Sequence, residues 1–314
     1  MRRLPSFSQW DRAMACEQSE ALPHVRTSSP YAARGTALHR FMQVYVDTNR
    51  DRAAALAAIP AEYREEAARI EVSAFTFPAE VATEIAVGVD LLDGEARTLD
   101  AIDRAYPEPR TVWETHGTVD LFGRDDDGVL VVMDYKFGFA ESEHADSLQL
   151  ALGAWAALAL TPDATRCEVA HVRLVDGIRL HPEWRPEPYT RDSLRPILAR
   201  LLDFSARMRA GEPRETYNVG HHCTYCPALR MCPAQTELLF NGRFVDCDDG
   251  AAMDGHLADA YEHVTAVERV LKAAKDQLRT HALAAPIPLA DGRVYGLAPG
   301  GQVRAHKPRN GGVL

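Results

Sequence analysis

Residues 111–138 carry the clearest structural signal in the chain, TVWETHGTVDLFG followed by RDDDG and VLVVMDYKFG. Two strand-like runs flank an Asp-Gly pair, and this combination is typical of a β-hairpin. The sequence therefore predicts two antiparallel strands, with Asp120 on the first strand and Asp134 at the end of the second. A hairpin can bring these two carboxylates side by side.

The tripeptide Asp134-Tyr135-Lys136 closes the second apolar run. Residues i and i+2 of a strand point to the same face, so Asp134 and Lys136 are expected to project together while Tyr135 points away. Two carboxylates suit a hard divalent cation such as Mg²⁺, and a nearby lysine can orient a water or hold a phosphate. A plain surface ion pair between Asp134 and Lys136 is the simpler interpretation of the same pattern.

The segments on either side of this hairpin predict an α+β fold. A helix begins near Ser6 or Ser8 and carries Cys16, and the spacing of Leu38, Phe41 and Tyr45 predicts an amphipathic second helix. Further segments are predicted as helices at 61–74, about 146–160, 191–210 and 251–284, and as strands at 81–87, 167–175 and 177–181. This order favours a small mixed central sheet flanked by helices.

Composition excludes several classes of protein. The chain has 314 residues, 46% of them hydrophobic, which is enough for a substantial core and rules out a fibrous or wholly disordered chain. The longest apolar run, 150–160, is too short for a bilayer, and the basic N-terminus lacks the apolar region of a secretory signal. We therefore expect no membrane association and a cytoplasmic location. The net charge of −10 argues against a general DNA-binding coat but is compatible with a local basic channel.

Three cysteines form a compact C-x2-C-x5-C group, Cys223, Cys226 and Cys232. The C-x2-C spacing is a chelating one. One interpretation is a zinc site completed by His221 or His222. A second takes Cys16, 207 residues before Cys223, as the fourth ligand, and a third leaves all of these thiols reduced and free.

Four short motifs occur in a fixed order: GTALH at 35–39, GTVD at 117–120, DYK at 134–136 and QLALGAW at 149–155. This order resembles the RecB-type branch of the PD-(D/E)XK nuclease superfamily. The resemblance implies a restriction-endonuclease-like fold and a Mg²⁺ or Mn²⁺ site. The metal ligands implied by the resemblance are His39, Asp120, Asp134 and the main-chain carbonyl of Tyr135. It further implies that Lys136 is the catalytic lysine and that Gln149 contacts substrate or braces that lysine.

Two features near these motifs leave alternatives open. Many relatives place a tyrosine four residues after the glutamine, where this chain has Gly153, and Trp155 is a candidate substitute. Glu114 lies six residues before Asp120, so an unbroken strand would put both on one face, and Glu114 is a candidate extra acid for a second cation. His116 shares that face and is interpreted as a neighbour. The aromatic side chains of Trp113, Tyr135, Phe137 and Phe139 either stack on bases or pack in the core.

The cysteine arrangement carries a second resemblance. One cysteine before the nuclease motifs and C-x2-C-x5-C after them resembles the iron–sulfur nucleases of the same superfamily, the AddB-like and CRISPR-associated adaptation nucleases. This resemblance implies that Cys16, Cys223, Cys226 and Cys232 hold a four-iron, four-sulfur cluster with a structural role. The late helix and strand are also similar to phage-encoded members of the group.

These observations predict a nuclease domain over 1–236 and a helical extension with a short strand and a tail over 237–314. The function expected from the resemblance is a Mg²⁺- or Mn²⁺-dependent DNA nuclease, an exonuclease on single strands or duplex ends. Its partners would be DNA and a helicase or recombination protein. The alternatives are a non-catalytic DNA-end binding module that keeps the fold, and a zinc-bearing interaction protein in which Asp134 and Lys136 form only an ion pair.

Overall fold

The structure is a computed structural model. It describes residues 3–24, 30–78, 80–101, 105–137, 147–214, 217–218, 220, 222–223, 226–234, 278–280, 282–283, 285–289, 293–297 and 303–306. The chain divides into two compact units, Met1–Cys232 and Pro233–Leu314. The first unit contains all of the sequence motifs described above.

Seven α-helices have both ends within the described residues, and all seven lie in the first unit. They are α1 (Trp10–Ala15), α2 (Gln18–Ala21), α3 (Pro30–Asp47), α4 (Arg52–Ala57), α5 (Ala61–Arg69), α6 (Leu148–Leu160) and α7 (Arg191–Ala210). Their ends follow local chemistry: the Ser147 hydroxyl accepts from Leu150 N at the start of α6, and Gly211 takes φ +76° after α7. A side-chain cap of this kind contributes about 1 kcal/mol to helix stability.

A seven-stranded sheet forms the centre of the first unit. Its strands are β1 (Glu80–Asp90), β2 (Ala96–Thr98), β3 (Glu114–Arg124), β4 (Leu130–Lys136), β5 (Arg166–Val175), β6 (Arg179–Trp184) and β7 (Tyr189–Thr190). The order is β2-β1-β3-β4-β5-β6, and β7 also pairs with β5. Among the described strands of this sheet only β4 and β5 run parallel, and helices flank the sheet. The expected α+β fold of the restriction-endonuclease type is confirmed.

The hairpin of β3 and β4 has the register that the sequence predicted. Leu121 pairs with Met133 and Arg124 with Leu130. The turn is stabilised by Asp125, whose Oδ1 accepts from Val129 N at 2.8 Å, and by Gly128 at φ +77°. An aspartate that binds its own turn and a glycine at positive φ are the reasons this sequence folds back here.

Two apolar cores cover the two faces of the sheet. One core joins α6, α7 and Trp10 to β1, β4 and β5, and the other joins α3 and α5 to Leu121, Met133 and Tyr135. Trp10, Leu38 and Leu121 have no exposed side-chain surface. Burying one such side chain contributes about 1.5–3 kcal/mol, so both layers hold the sheet firmly in place.

The second unit contains a small antiparallel sheet. Its strands are β8 (Ile287–Pro288), β9 (Val294–Leu297) and β10 (Val303–His306), in the order β10-β9-β8. The helix predicted at 251–284 lies mostly outside the described residues, although 278–280 and 282–283 are helical. Within the described part of the chain, no helix combines the length and the apolar character needed to cross a bilayer.

Candidate metal and nuclease site

Four polar residues lie in one row across four neighbouring strands. Extending the β1–β3 register places Glu84 opposite Asp120, and extending the β3–β4 register places Asp120 opposite Asp134. The parallel register pairs Asp134 with His171. The sheet therefore gathers one residue from each of β1, β3, β4 and β5 at the same level.

The sheet is irregular at this row. The pairing of β1 with β3 passes from Thr83–Leu121 to Ile85–Val119 and omits Glu84 and Asp120 between them. Glu84 has φ +49°, a left-handed conformation that costs a non-glycine residue about 1–2 kcal/mol. Val119 packs in one core and Leu121 in the other, although i and i+2 of a regular strand share a face. Backbone strain thus coincides with the convergence of the carboxylates.

Helix α3 supplies His39 to the same point. The Nδ1 atom of His39 lies 3.2 Å from Asp120 Oδ2 and 3.8 Å from Glu84 Oε1. One donor atom from each of these three residues lies within 4.8 Å of the others. The His39 Nδ1 atom is buried and makes no hydrogen bond to any described residue. One imidazole and two carboxylates around a common point fit the donor set of a divalent cation.

The carboxylates around His39 stabilise positive charge at the point where His39, Glu84 and Asp120 meet. Burial disfavours the imidazolium, but the Asp120 carboxylate outweighs it and raises the pKa of His39 to about 10. Burial, against the opposing attraction of His39, raises the pKa of Asp120, and the charges of Asp134 and Glu84 act in the same direction as burial. Three crowded carboxylates therefore hold a proton or another cation at this point.

Asp134, Lys136 and Gln149 form a closed triangle beside the His39 group. Lys136 Nζ lies 3.0 Å from Asp134 Oδ2 and donates to Gln149 Oε1 at 2.9 Å, while Gln149 Nε2 donates to Asp134 Oδ1. Burial alone would raise the pKa of Asp134, but Lys136 and His171 hold it well below the usual range. The structure thus brings together three of the residues selected from the sequence, with Asp134 ionised.

His171 on β5 is a partner of Asp134 that the sequence analysis missed. It has no exposed surface; its Nδ1 atom lies 3.3 Å from Asp134 Oδ2 and its Nε2 atom 3.1 Å from Ser147 Oγ. A chain of hydrogen bonds from Ser147 through His171 thus reaches Asp134 and fixes the orientation of the carboxylate. The signal was present as a lone histidine on an apolar strand, but its partner is 37 residues away.

Tyr135 acts through its backbone. Its amide N–H donates to Asp120 Oδ2 at 2.8 Å, just beyond the last hydrogen-bonded pair of β3 and β4, and so links the two strands where they separate. The rings of Tyr135 and Phe137 are buried in the core, which favours packing over base stacking. The Arg209 guanidinium lies over the Trp113 ring, with its central carbon 5.5 Å from the ring centroid. Phe139 lies outside the described residues.

Glu114 has a different setting from the one that an unbroken strand implied. Arg97 donates to both of its oxygens, at 2.7 and 3.1 Å, and Arg110 N donates to Oε2. The irregularity at Asp120 also separates the faces on either side of it. With both oxygens engaged, Glu114 is not placed to serve as the extra cation ligand that the sequence suggested. His116 is a buried neighbour of Glu114, at 3.3 Å.

The position four residues after Gln149 is filled by close packing. A Cβ at Gly153 would lie 3.1 Å from Val132 Cγ1, so α6 approaches the sheet closely at this point. Trp155, the candidate substitute for the missing tyrosine, instead donates from Nε1 to Gly94 O in the turn between β1 and β2. The expectation that Trp155 replaces the tyrosine of the relatives is therefore not supported by its position.

The four cysteines selected from the sequence line one small cavity of about 20 Å³: Cys16, Cys223, Cys226 and Cys232. Burial raises the pKa of Cys226, and the neighbouring Cys223 and Cys16 act in the same direction, against Arg12. Among the described residues, no three cysteine or histidine donor atoms here lie within 4.8 Å of one another. The described cysteine and histidine side chains therefore do not form a preassembled three-donor metal site here.

A profile of the PD-(D/E)XK nuclease superfamily matches residues 14–233, most of the chain, including the His39, Asp134 and cysteine groups. The chain belongs to the PD-(D/E)XK nuclease superfamily. Among solved structures, "Crystal structure of SSO0001" is similar at 13% identity, covering 73% of this chain and 96% of that chain with a TM-score of 0.31. A likeness this distant carries no inference about function. A comparison with curated proteins found no match.

Glu84 was missed by the sequence analysis for a structural reason. It lies within the segment predicted as a strand at 81–87, but the glutamate belongs to none of the four motifs. Its contact with Asp120 depends on β1 pairing with β3, some thirty-six residues later in the chain. Within 81–87, Glu84 is the only charged residue, and this was the available signal.

Proposed function

We propose that this member of the superfamily is a DNA nuclease that hydrolyses phosphodiester bonds with Mg²⁺ or Mn²⁺. The observation that carries the proposal is the convergence of His39, Glu84 and Asp120 beside the pair formed by Asp134 and Lys136. A donor set of this kind next to a lysine combines the two requirements of phosphodiester hydrolysis, charge neutralisation and control of a nucleophilic water.

The proposed metal ligands are His39, Asp120 and Glu84, with Asp134 and the main-chain carbonyl of Tyr135 beside them. A divalent cation there would supply Lewis-acid chemistry, lowering the pKa of a bound water and neutralising charge on the phosphate. Glu84 enters this set from the structure, since its oxygen shares the point at which His39 and Asp120 meet.

Lys136 is proposed as the catalytic lysine. Its ammonium group is held by Asp134 and by Gln149, so its position relative to the carboxylates is fixed before substrate binds. From there it would hold a phosphate oxygen or orient the attacking water. Gln149 accepts from the lysine and donates to the aspartate, and is thereby assigned as the brace between them.

The proposed substrate is DNA, as single strands or duplex ends, degraded by exonuclease action in the cytoplasm together with a helicase or recombination protein. The resemblance of the four motifs to the RecB-type branch supports this part of the proposal. The net charge of −10 favours a local contact surface near the site over a general DNA-binding coat.

The test is cleavage of end-labelled single-stranded and duplex DNA by anaerobically purified protein with Mn²⁺ or Mg²⁺. Asp134→Ala should abolish cleavage and leave the circular dichroism spectrum unchanged. Asp163→Ala is the matched control, because it removes a 74% exposed side chain between α6 and β5, paired with Arg124 at the end of β3, and should cut at the native rate. Cleavage by Asp134→Ala at the native rate would overturn the proposal, and DNA binding without cleavage would favour an end-binding module.

We further propose that Cys16, Cys223, Cys226 and Cys232 hold a four-iron, four-sulfur cluster. The proposal is supported by the position of the four cysteines, which all line one cavity. The resemblance of the cysteine spacing to that of the iron–sulfur nucleases favours the cluster over a single zinc ion. The cluster would join the segment after α1 to the end of the first unit, a structural role.

Iron and acid-labile sulfide content of anaerobically purified protein test this second proposal. Cys16→Ser should lose most of the iron and the visible absorption. Cys167→Ser is the matched control, because Cys167 is buried on β5 and lies outside the cavity, and it should retain the cluster. Zinc without iron in the native protein would contradict the proposal and support the zinc interpretation.

A further inference from the structure

A cavity of about 370 Å³ lies next to the proposed catalytic residues. Its walls include Ser6 and Gln9 of the N-terminal segment, Tyr106 from the segment before β3, His116 and Thr118 of β3, and Gln149 of α6. Gln149 is the residue that binds both Lys136 and Asp134. The cavity therefore begins where the proposed chemistry takes place.

The cavity exists because β3 and β4 separate. They pair only from Leu121 to Arg124, so the earlier part of β3 has no strand partner on that side among the described residues. The N-terminal segment lies there instead. Thr115 Oγ1 donates to Pro5 O at 2.6 Å and accepts from Trp10 Nε1 at 3.0 Å, both buried contacts. The wall of the cavity is thus fixed to β3.

The N-terminal segment packs closely against β3 at Gly117. A Cβ at this position would overlap the ring of Phe7, so only glycine allows Phe7 to lie against β3. Gly117 is also the glycine of the GTVD motif. The motif therefore places a cation ligand, Asp120, and a wall of the cavity on the same four-residue stretch.

The chemistry of the lining suits a base and a sugar. The Tyr106 ring packs 5.6 Å from His116 and its hydroxyl shares a hydrogen bond with Thr118 Oγ1 at 2.8 Å. His116 is 6% exposed, and its Nε2 atom, 3.3 Å from Glu114, makes no hydrogen bond to any described residue. An aromatic face with hydroxyl, amide and imidazole groups around it can stack on a base and bind its edge.

Charge argues against a site for phosphate alone. Among the described residues that line the cavity, Arg3 is the one lysine or arginine, and its guanidinium is paired with Glu108. In the same described lining, Glu114 is the one carboxylate, and it is paired with Arg97. The described part of the lining is therefore close to neutral, whereas a phosphate site presents several cations or charged donors.

We propose that this cavity binds one unpaired nucleotide of the DNA strand whose phosphodiester lies at Asp134 and Lys136. The inference rests on the proposed nuclease function and adds that the strand is single where it is cut. The volume is at the lower end of the range for small-ligand pockets, about 300–1,000 Å³, and so has room for one nucleotide. The base stacks on Tyr106, and polar side chains of the lining bind its edge.

Binding is measured first, with a fluorescein-labelled single-stranded oligonucleotide and Ca²⁺ in place of Mg²⁺. Tyr106→Ala should raise the dissociation constant about tenfold, the lower range for loss of one base–aromatic stack. Trp184→Ala is the matched control, because it removes a 42% exposed aromatic ring on β6 and should bind as the native protein does. Native affinity in Tyr106→Ala overturns the inference, as does binding to blunt duplex that equals binding to single strands.

Cleavage is measured second, on oligonucleotides in which a single abasic site is moved stepwise along the strand. The native protein should cut about tenfold more slowly when the abasic site occupies one fixed position relative to the bond, and Tyr106→Ala should lose that dependence. Cleavage without any positional dependence overturns the cavity assignment alone. Base-dependent binding without cleavage leaves the cavity assignment standing and overturns the nuclease function.

Discussion

Asp134 is the most heavily restrained side chain of the site. Its two oxygens accept from Gln149, Lys136 and His171, and these three come from α6, β4 and β5. A buried carboxylate survives as an anion only where such partners compensate for lost solvation. Its orientation is therefore set jointly by the proposed catalytic lysine and by Gln149 and His171.

His171 gives the first prediction. His171→Leu should weaken Mn²⁺ binding about 10–100-fold, the usual cost of losing a side chain that orients a metal ligand. His171→Asn, which retains a donor near Nδ1, should recover part of the affinity. Isothermal titration with Mn²⁺ measures both. Native affinity in a folded His171→Leu protein would show that Asp134 needs no support from β5.

Glu84 gives the second prediction. Without metal, Glu84→Gln should be at least as stable as the native protein, because the change removes a charge that repels Asp120. With Mn²⁺, the native protein should gain thermal stability and Glu84→Gln should gain much less, because one ligand is lost. Thermal unfolding with and without Mn²⁺ measures the difference. An equal gain in both proteins would remove Glu84 from the ligand set.

At the level of helices and strands, locally encoded features were predictable and distant pairings were not. The β3–β4 hairpin and the helix carrying His39 follow from turn residues and apolar spacing within a few residues of each other. Glu84 and His171 enter the site through the β1–β3 and β4–β5 pairings, which join segments far apart in the chain. No local pattern specifies such pairings.

Glu114 is an example of a local pattern whose prediction depended on a neighbouring strand. Glu114 and Asp120 would share a face only if the side chains of β3 alternated between the two faces without interruption from Glu114 to Asp120. The interruption at Asp120 coincides with the left-handed conformation of Glu84 on the neighbouring strand, at φ +49°. The face on which Glu114 lies relative to Asp120 therefore depends on how β3 pairs with β1, and the sequence of β3 alone does not predict that pairing.

The packing of α6 gives the third prediction. Gly153→Tyr, which restores the residue common in relatives, should lower the free energy of unfolding by about 3 kcal/mol or more, since the position faces Val132 with no room for a ring. Leu160→Tyr is the matched control, because Leu160 is 37% exposed on the same helix and should change stability little. Urea unfolding measures both. A stable Gly153→Tyr protein would mean that α6 can move off the sheet.

At the level of the whole first unit, Glu17 joins residues almost two hundred positions apart. Its carboxylate accepts from Arg207 Nη2 at 2.6 Å and from Arg214 N at 2.8 Å, and Gln18 donates to Arg214 O. These contacts lie beside the cysteine cavity. They hold the N-terminal segment to the residues after α7 without any contribution from a bound group.

Glu17 gives the fourth prediction. Burial would raise its pKa, but the hydrogen bonds from Arg214 and Arg207 outweigh it and lower the pKa below the usual 4.5. The ionised form therefore stabilises the fold above about pH 4.5, and this contribution is lost as the pH falls towards the folded-state pKa. Glu17→Gln should lower the free energy of unfolding at pH 7 by roughly 2 kcal/mol, and by less at pH 3.5.

Urea unfolding of the cluster-free protein at the two pH values makes this measurement. Glu212→Gln is a suitable comparison, because Glu212 is an exposed residue near the end of α7 and should show little change at either pH. If Glu17→Gln and the native protein differed in the free energy of unfolding by the same amount at both pH values, the charge on Glu17 would not contribute to its contacts with Arg207 and Arg214.

The row of four residues has a consequence for the time at which activity can first arise. Its members come from positions 84, 120, 134 and 171, in the order in which a ribosome makes them, and each strand needs its neighbour to hold the row together. A nascent chain that has not yet released β5 lacks the support of Asp134. We therefore expect metal binding at the proposed site to be weakened until β5 has been synthesised and has paired with β4.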